Sequence, residues 1–316
     1  MKAIVQDRYG SPDVLRLDEI EKPAITDPEQ VLVRVRASSL QPVDWHTMRG
    51  EPRWARLMMG LRAPKQRVPG VDAAGVVEEV GAAVTHVHVG DEVFGARNGA
   101  LAEYVAGKNF LAKPVGLSFE QAGSVAVAGC TALQGLRDKG RLQAGQSVLV
   151  NGASGGVGSF AVQIAKALGA HVTGVCSTRN VELVRSIGAD DVVDYTKDDF
   201  TRVDRKYDLV FDAVGNRAFS DLRRAAARNG AIVIAGGEGS FFVRTFNVLV
   251  VGRFISQRAL FFLAKINKED LGFLKDLIEA GKVTPLIDRM YPLSEAAEAM
   301  RHSEAGHARG KVVVTI

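Results

Sequence analysis

The stretch Ser147-Val-Leu-Val-Asn-Gly-Ala-Ser-Gly-Gly-Val-Gly158 decides the fold. It runs from an apolar strand through a glycine turn into an amphipathic helix. In that helix Phe160, Ile164, Ala167 and Leu168 recur at helical spacing until Gly169. His171-Val-Thr-Gly-Val175 then reads as a second strand, so residues 147–175 have the length of one βαβ unit. Glycines in such a turn let backbone N–H groups and a helix N-terminus approach a diphosphate. The G-x-G-x-x-G pattern departs at its first position, where Ala153 precedes Gly155 and Gly158. Alanine still permits a tight turn, and the stretch reads as a dinucleotide site.

The end of the second strand indicates which dinucleotide. An NAD site usually places Asp or Glu there, roughly 20 residues after the glycines, to bind ribose hydroxyls. This chain has Cys176-Ser-Thr-Arg-Asn180 instead, with no carboxylate. A guanidinium and hydroxyls bind a 2′-phosphate that a carboxylate would repel, so Ser177 and Arg179 point to NADP(H). The plainer alternative is that Ser177 and Thr178 cap the next helix and Arg179 is a solvated charge. The two roles are compatible.

At 316 residues the chain has room for about two domains and a large core. Apolar content of 47% and charged content of 24% are ordinary for a globular enzyme. The net charge of +4 suits an anionic cofactor, but without a basic run or RNA-binding motif it is not a nucleic-acid signature. Two cysteines, Cys130 and Cys176, cannot build a disulfide framework; they suit a reducing cytoplasm and buried packing. The amino terminus lacks the apolar core of a signal peptide. Residues 241–264 are apolar but interrupted by Arg244, Arg253 and Arg258, too often for a membrane span. A buried helix or a subunit contact is expected there.

The first third is strand-rich. Residues 31–37 alternate apolar and charged side chains, residues 71–80 end at Gly81, and residues 90–95 add a turn and a short strand. Short strands divided by Gly and Pro predict a compact antiparallel barrel. From Phe119 onward helices and strands alternate, with strands expected at 147–150, 171–175, 191–193, 209–212 and 231–235. That alternation predicts a parallel, doubly wound sheet. The tail predicts helices at 270–280 and 294–302, the second capped by Ser294, and a closing strand at 311–316. The division expected is a first domain at 1–121, a nucleotide domain inserted at 122–262, and a return to the first domain over 263–316.

An ordered set of further motifs spans nearly the whole chain. They are Pro42-Val-Asp-Trp45, Gly70-Val-Asp-Ala-Ala-Gly-Val-Val77, Gly90-Asp-Glu-Val-Phe-Gly95, Ala128-Gly-Cys-Thr-Ala-Leu-Gln-Gly135, Val192-Val-Asp-Tyr195, Phe211-Asp-Ala-Val-Gly215 and Ala308-Arg-Gly-Lys-Val-Val-Val314. With the glycine turn, they resemble the zinc-free medium-chain dehydrogenase/reductases of the quinone oxidoreductase branch, including reticulon-4-interacting-protein-like members. The resemblance implies an α/β chain with a GroES-like β-barrel catalytic domain and a doubly wound parallel-sheet Rossmann domain. It implies NADPH as cofactor, reduction of a quinone or an activated carbon–carbon double bond, and a homodimer. It would set Ser154, Gly155, Gly156 and Val157 along the diphosphate, and Ser177, Arg179 and Tyr195 around the 2′-phosphate. Thr131 would stand near the nicotinamide, Asp212, Ala213 and Val214 at the adenosine side, and Gly236 and Gly237 near the nicotinamide ribose. For Tyr195 the plainer reading is a surface aromatic after a strand.

Zinc-dependent relatives carry a Cys where Gln41 stands and Gly-His-Glu where Gly70-Val71-Asp72 stands. Val71 cannot ligate a metal, no four-cysteine cluster exists, and Asp44, His46 and Asp72 form only a makeshift donor set. No metal is expected, and the usual route to alcohol oxidation is lost with it. Hydride transfer to an enone or quinone needs orientation and a hydrogen-bond donor more than a metal, because such substrates delocalise the incoming charge onto oxygen. The candidate catalytic residues are Gln41, Asp44, His46 and Thr131. Many relatives have Asn at the Gln41 position and Tyr or Lys at the His46 position. Gln41 can bond a carbonyl oxygen, His46 can protonate the developing enolate or simply face water, and Asp44 can tie down its own loop. Trp45, Met48, Trp54 and Met58 are candidates for an apolar pocket or for core, and residues 49–67 for a substrate-side loop. Two rival readings are a non-catalytic NADPH-binding sensor or scaffold and a zinc-free alcohol dehydrogenase.

Overall fold

A computed structural model of the chain describes residues 1–202, 204–236 and 256–316. Its contacts divide into two compact units. One comprises Met1–Ala128, Ile266–Glu279 and Pro285–Ile316; the other comprises Gly129–Lys265 and Ala280–Thr284.

In the first unit the strand Val31–Leu40 organises a seven-stranded sheet. Its first half pairs antiparallel with Tyr104–Gly107 on one side, and it pairs along most of its length with Asp72–Val80 on the other. Its second half takes Lys311–Thr315 as neighbour, with Val312 opposite Leu40. Glu92–Ala96 and Phe110–Ala112 extend the far edge, again antiparallel. The remaining strand, Ile287–Pro292, joins Lys311–Thr315 in parallel, so the expected antiparallel order fails at that one pair. Alternation decides which face is inside: Val31, Val33 and Val35 pack with Ala73, Val77, Val93 and Phe110, while Arg34 and Arg36 point out. A second cluster joins Leu40, Met48, Leu293, Met300, Val312 and Val314, which ties the carboxyl-terminal elements to this unit.

In the second unit six strands lie in the order Asp191–Asp194, His171–Cys176, Ser147–Asn151, Tyr207–Asp212, Ala226–Ile234 and Arg258–Phe261, all pairs parallel. The order reverses between Ser147–Asn151 and Tyr207–Asp212, and the crevice at such a switch point is where doubly wound sheets bind ligands. The helix Gly156–Ala167 buries Phe160 and Ile164 as its periodicity predicts, whereas Ala167 and Leu168 are half-buried and residues 158–165 are buried without a break, so the helix is covered on more than one face. Full burial of Phe160 and Ile164 contributes about 1.5–3 kcal/mol each. A π-helical segment, Gln134–Gly140, reaches the sheet through two glycines: a Cβ on Gly135 would stand 2.3 Å from Phe211, and one on Gly140 2.6 Å from Leu209.

Three details differ from the sequence reading. Ala226–Ile234 begins five residues before the expected strand, through an irregular stretch that pairs Tyr207 with Ala226. Ser294 lies inside a 3₁₀ turn, Leu293–Glu295, and Ala296–Glu304 follows with no side-chain cap at its N-terminus. Residues 241–255 of the apolar segment lie outside the described residues; the rest supplies the edge strand Arg258–Phe261 rather than a helix. Among the described residues no helix is long and apolar enough to cross a membrane.

Candidate active site

The glycine turn explains why Ala153 is tolerated. The left-handed position is Gly152, at φ 84°, whereas Arg141 is the one non-glycine residue with positive φ among the described residues. Ala153 is fully buried, and its methyl packs over Gly174, where an added Cβ would stand 3.0 Å away. The alanine is therefore a packing contact in a place that asks for no glycine backbone. Gly158 is stricter: its Cβ would stand 2.0 Å from the Gly152 carbonyl oxygen. Gly155 caps the helix Gly156–Ala167, whose first-turn N–H groups at Gly156, Val157 and Gly158 have no carbonyl one turn back. Those donors, with the positive end of the helix dipole, form an anion cradle.

The strand ends beside this turn are polar and buried. Asp212 Oδ1 accepts from Asn151 Nδ2 at 2.9 Å, from Gly215 N at 2.8 Å and from Val214 N at 3.2 Å. Among the described residues its Oδ2 is buried with no partner, an acceptor at the switch point fit for a cofactor hydroxyl or amide. The Val214 side chain stands 2.4 Å from where a Gly152 Cβ would lie, so strand end and turn are fitted together. A Cβ on Gly236 would stand 2.1 Å from the Ala213 carbonyl oxygen. Gly237 lies outside the described residues. Thr131 lies on the helix Ala126–Leu133 and is 9% exposed.

At the end of the strand His171–Cys176, Ser177 precedes a 3₁₀ turn, Thr178–Asn180, and makes no side-chain cap bond. Arg179 is exposed on that turn, and Tyr195 is 52% exposed. The Tyr195 N–H donates to the Cys176 carbonyl at 3.0 Å, so register alone brings it beside the turn. Two members of this end escaped sequence reasoning. Asn180 is buried and its Nδ2 donates to Ser154 Oγ at 2.9 Å, which links the glycine turn to the second strand. Asp194 ends the strand next door and accepts from Thr178 Oγ1 at 2.6 Å and Thr196 Oγ1 at 2.7 Å; the Thr178 bond leads in holding its carboxyl down at about 2.

In the first unit Gln41 and Asp44 are not in a loop. Gln41 is the N-cap of the helix Pro42–Arg49, its backbone N–H donating to the Asp44 carboxyl and its carbonyl accepting from Asp44 N at 3.0 Å. Asp44 accepts from Gln41 N at 2.7 Å and from Gly70 N at 3.2 Å, and burial pushes its carboxyl up to about 7. The Gln41 amide donates to Ser39 Oγ at 3.1 Å and Asp72 Oδ2 at 2.5 Å. Its Oε1 accepts from Lys311, whose ammonium also lies 3.8 Å from Asp72. Asp72 accepts in addition from Ser39 Oγ and from Val127 N, each at 2.8 Å. Burial lowers the ammonium of Lys311 and raises the carboxyl of Asp72, each opposed by the other's charge. Every polar atom of the Gln41 side chain is thus engaged within the protein, which corrects the expectation that its amide is held ready for a substrate carbonyl. Lys311 stands in the motif of residues 308–314 but was given no site role from sequence, because no local spacing relates it to Gln41.

His46, on the same helix, stacks on Trp45 with ring centroids 3.7 Å apart. Its Nδ1 is buried without a partner among the described residues, and burial lowers its pKa below the ordinary 6.5, so at neutral pH the ring is a neutral donor or acceptor rather than an imidazolium. Met48 belongs to the core and is wholly buried; Trp54 is 37% and Met58 76% exposed. Residues 49–67 hold short helical turns, Arg53–Ala55 and Arg56–Met59, rather than a plain loop. Among the described residues no group of three or more His, Cys, Asp or Glu side chains is disposed to hold a metal ion.

Comparison with known proteins agrees with this architecture. Residues 27–111 match the alcohol dehydrogenase GroES-like domain, and residues 187–314 match the zinc-binding dehydrogenase family. The chain is 37% identical to a chloroplastic NADPH-dependent alkenal/one oxidoreductase of Arabidopsis thaliana, over 99% of this chain and 79% of that protein. It is 34% identical to the mitochondrial NAD(P)H oxidoreductase RTN4IP1 of Mus musculus, over 100% of this chain and 89% of that one. The structure of the quinone oxidoreductase from Coxiella burnetii superposes with a TM-score of 0.87 at 32% identity, covering 100% of this chain and 99% of that one.

Proposed function

Because the chain belongs to the quinone oxidoreductase branch of the medium-chain dehydrogenase/reductases, we propose that it is an NADPH-dependent reductase of quinones or of carbon–carbon double bonds conjugated to a carbonyl. The observation that carries this reading is the buried Lys311–Gln41–Asp72 cluster. An ammonium stands among the side chains that, in a metal-dependent relative, would surround a cation, and its charge opposes one there. Substrates that accept hydride without a Lewis acid are then the ones this site serves.

Bound NADPH supplies the hydride. Gly156 and Val157 hold the diphosphate through backbone N–H groups, with Ser154 beside them and Gly155 letting the chain approach while its own N–H donates to the Gly152 carbonyl; the buried Asp212 Oδ2 is an acceptor beside Val214, and Gly236 lets the chain pass close to the Ala213 carbonyl. Ser177, Arg179 and Tyr195 hold the 2′-phosphate, and Thr131 contacts the nicotinamide end. On the substrate side the Asp44 carboxyl, accepting from the Gln41 N–H, fixes the start of the helix Pro42–Arg49, and His46 offers a neutral ring N–H to the oxygen on which charge develops. Cys130 and Cys176 are buried thiols, Cys176 pushed up to about 11 by burial, which supports a reducing, cytoplasmic setting and no role in catalysis. A homodimer is the expected assembly.

Steady-state oxidation of NADPH, followed by absorbance with an alkenal, an ortho-quinone and a primary alcohol control, tests the proposal. Acceptor-dependent turnover with the alkenal or quinone is expected. Tight NADPH binding with no turnover on either would instead make the chain a cofactor-binding sensor.

A further inference from the structure

Asn180 spans two candidate phosphate-binding hydroxyls that come from different parts of the chain. It is 5% exposed, and it is anchored by its own N–H, which donates to the Ser177 carbonyl at 2.9 Å. Its Nδ2 donates to Ser154 Oγ at 2.9 Å and makes a longer contact of 3.4 Å with Ser177 Oγ. An amide nitrogen can only donate, whereas a hydroxyl has one hydrogen and two lone pairs. Each serine oxygen therefore spends a lone pair on Asn180 and keeps its hydrogen for another acceptor. Among the described residues neither hydroxyl has one. The Asn180 Oδ1 is buried with no partner among the described residues.

We infer that Asn180 is a positioning residue that turns the Ser154 and Ser177 hydroxyls outward as a pair of donors for a phosphomonoester, the ribose 2′-phosphate of the cofactor. This rests on the NADPH reading above. The pair suits a group rich in acceptors and without donors, and Arg179 on the same turn adds a cation. The nearby carboxylate of Asp194 is occupied by Thr178, Thr196 and, at 3.7 Å, Lys197, so it takes no part in fixing the two serines. Ser154 thereby moves from the diphosphate group of residues to the 2′-phosphate group.

The test is equilibrium binding of NADPH, NADH and 2′,5′-ADP to the full chain, with thermal melts to establish folding. In Asn180→Asp the new carboxylate accepts both hydroxyl hydrogens and repels the phosphate. Its Kd for NADPH and 2′,5′-ADP is expected to rise roughly ten- to a hundredfold, with NADH changing by less than about threefold. Asn180→Ala should lose less of the preference, and Ser154→Ala should lose little more when added to Asn180→Asp. A wild-type chain that binds NADPH and NADH equally overturns the NADPH reading. A wild type that prefers NADPH, with the same ratio kept in folded Asn180→Asp, overturns the role of Asn180 alone. If Asn180→Asp does not fold, an unchanged ratio in Ser154→Ala overturns it equally.

Discussion

Lys311 and Asp72 face each other at 3.8 Å inside the first unit, with side chains 2% and 0% exposed. Each opens a strand, Lys311–Thr315 and Asp72–Val80, and the two strands flank Val31–Leu40 on opposite sides. The pair therefore clamps the end of the central strand, with the Gln41 amide bonded to both.

Removing one member leaves the other charged and buried, which costs about 3–5 kcal/mol. Lys311→Met is expected to lose stability on that scale in urea unfolding, and Asp72→Asn/Lys311→Met to recover much of it. An unchanged midpoint in the single variant would contradict the clamp.

Asp44 gives stability a definite slope with pH. Its carboxyl titrates near 7 in the folded chain against an ordinary 3.8, so between those values the unfolded chain is ionised while the folded one keeps its proton. Folding then takes up a proton, and stability falls as pH rises through that window and levels above it. The slope is at most about 1.4 kcal/mol per pH unit for one proton. Urea unfolding across the window should show this slope weakened in Asp44→Asn, in which Lys311 also loses the Asp44 charge that favours its ammonium.

Gly158 admits no side chain. An alanine Cβ would meet the Gly152 carbonyl oxygen at 2.0 Å, so the turn must open. Gly158→Ala is expected to weaken NADPH binding at least roughly tenfold and to lower the melting temperature. Native affinity would show that the turn does not hold the diphosphate.

His46 acts as a neutral ring in this account. Burial keeps its pKa below 6.5, so kcat with an alkenal should stay level from about pH 7 to 8 and fall in His46→Ala without loss of NADPH affinity. A titration in kcat near pH 7 that disappears in the variant would mean that the imidazolium is the working form.

Much of the second unit was legible because its signals are local. The glycine turn, the apolar stripe at Phe160 and Ile164, and the succession of short apolar strands each lie within one βαβ length, and all five expected strands are present. The Ala153 departure is explained only by the backbone, since positive φ falls on Gly152. The first unit concealed more. Gln41 and Lys311 are 270 residues apart, and no periodicity announces that a strand pairing will join them. The Asp44 segment was expected to be a loop, yet Pro42 occupies the first turn of a helix, where its missing N–H costs nothing. Asn180 was passed over because its role lies in a hydrogen bond to a turn 26 residues earlier.

The most direct test of the central claim follows a label. NADPH deuterated at the transferable position is supplied with an alkenal in the presence of a metal chelator, and the product is read by NMR. Saturated aldehyde carrying deuterium on the carbon β to the carbonyl, at a rate unchanged by the chelator, is the expected result. Deuterium on the carbinol carbon of an unsaturated alcohol, formed only without chelator, would contradict the account.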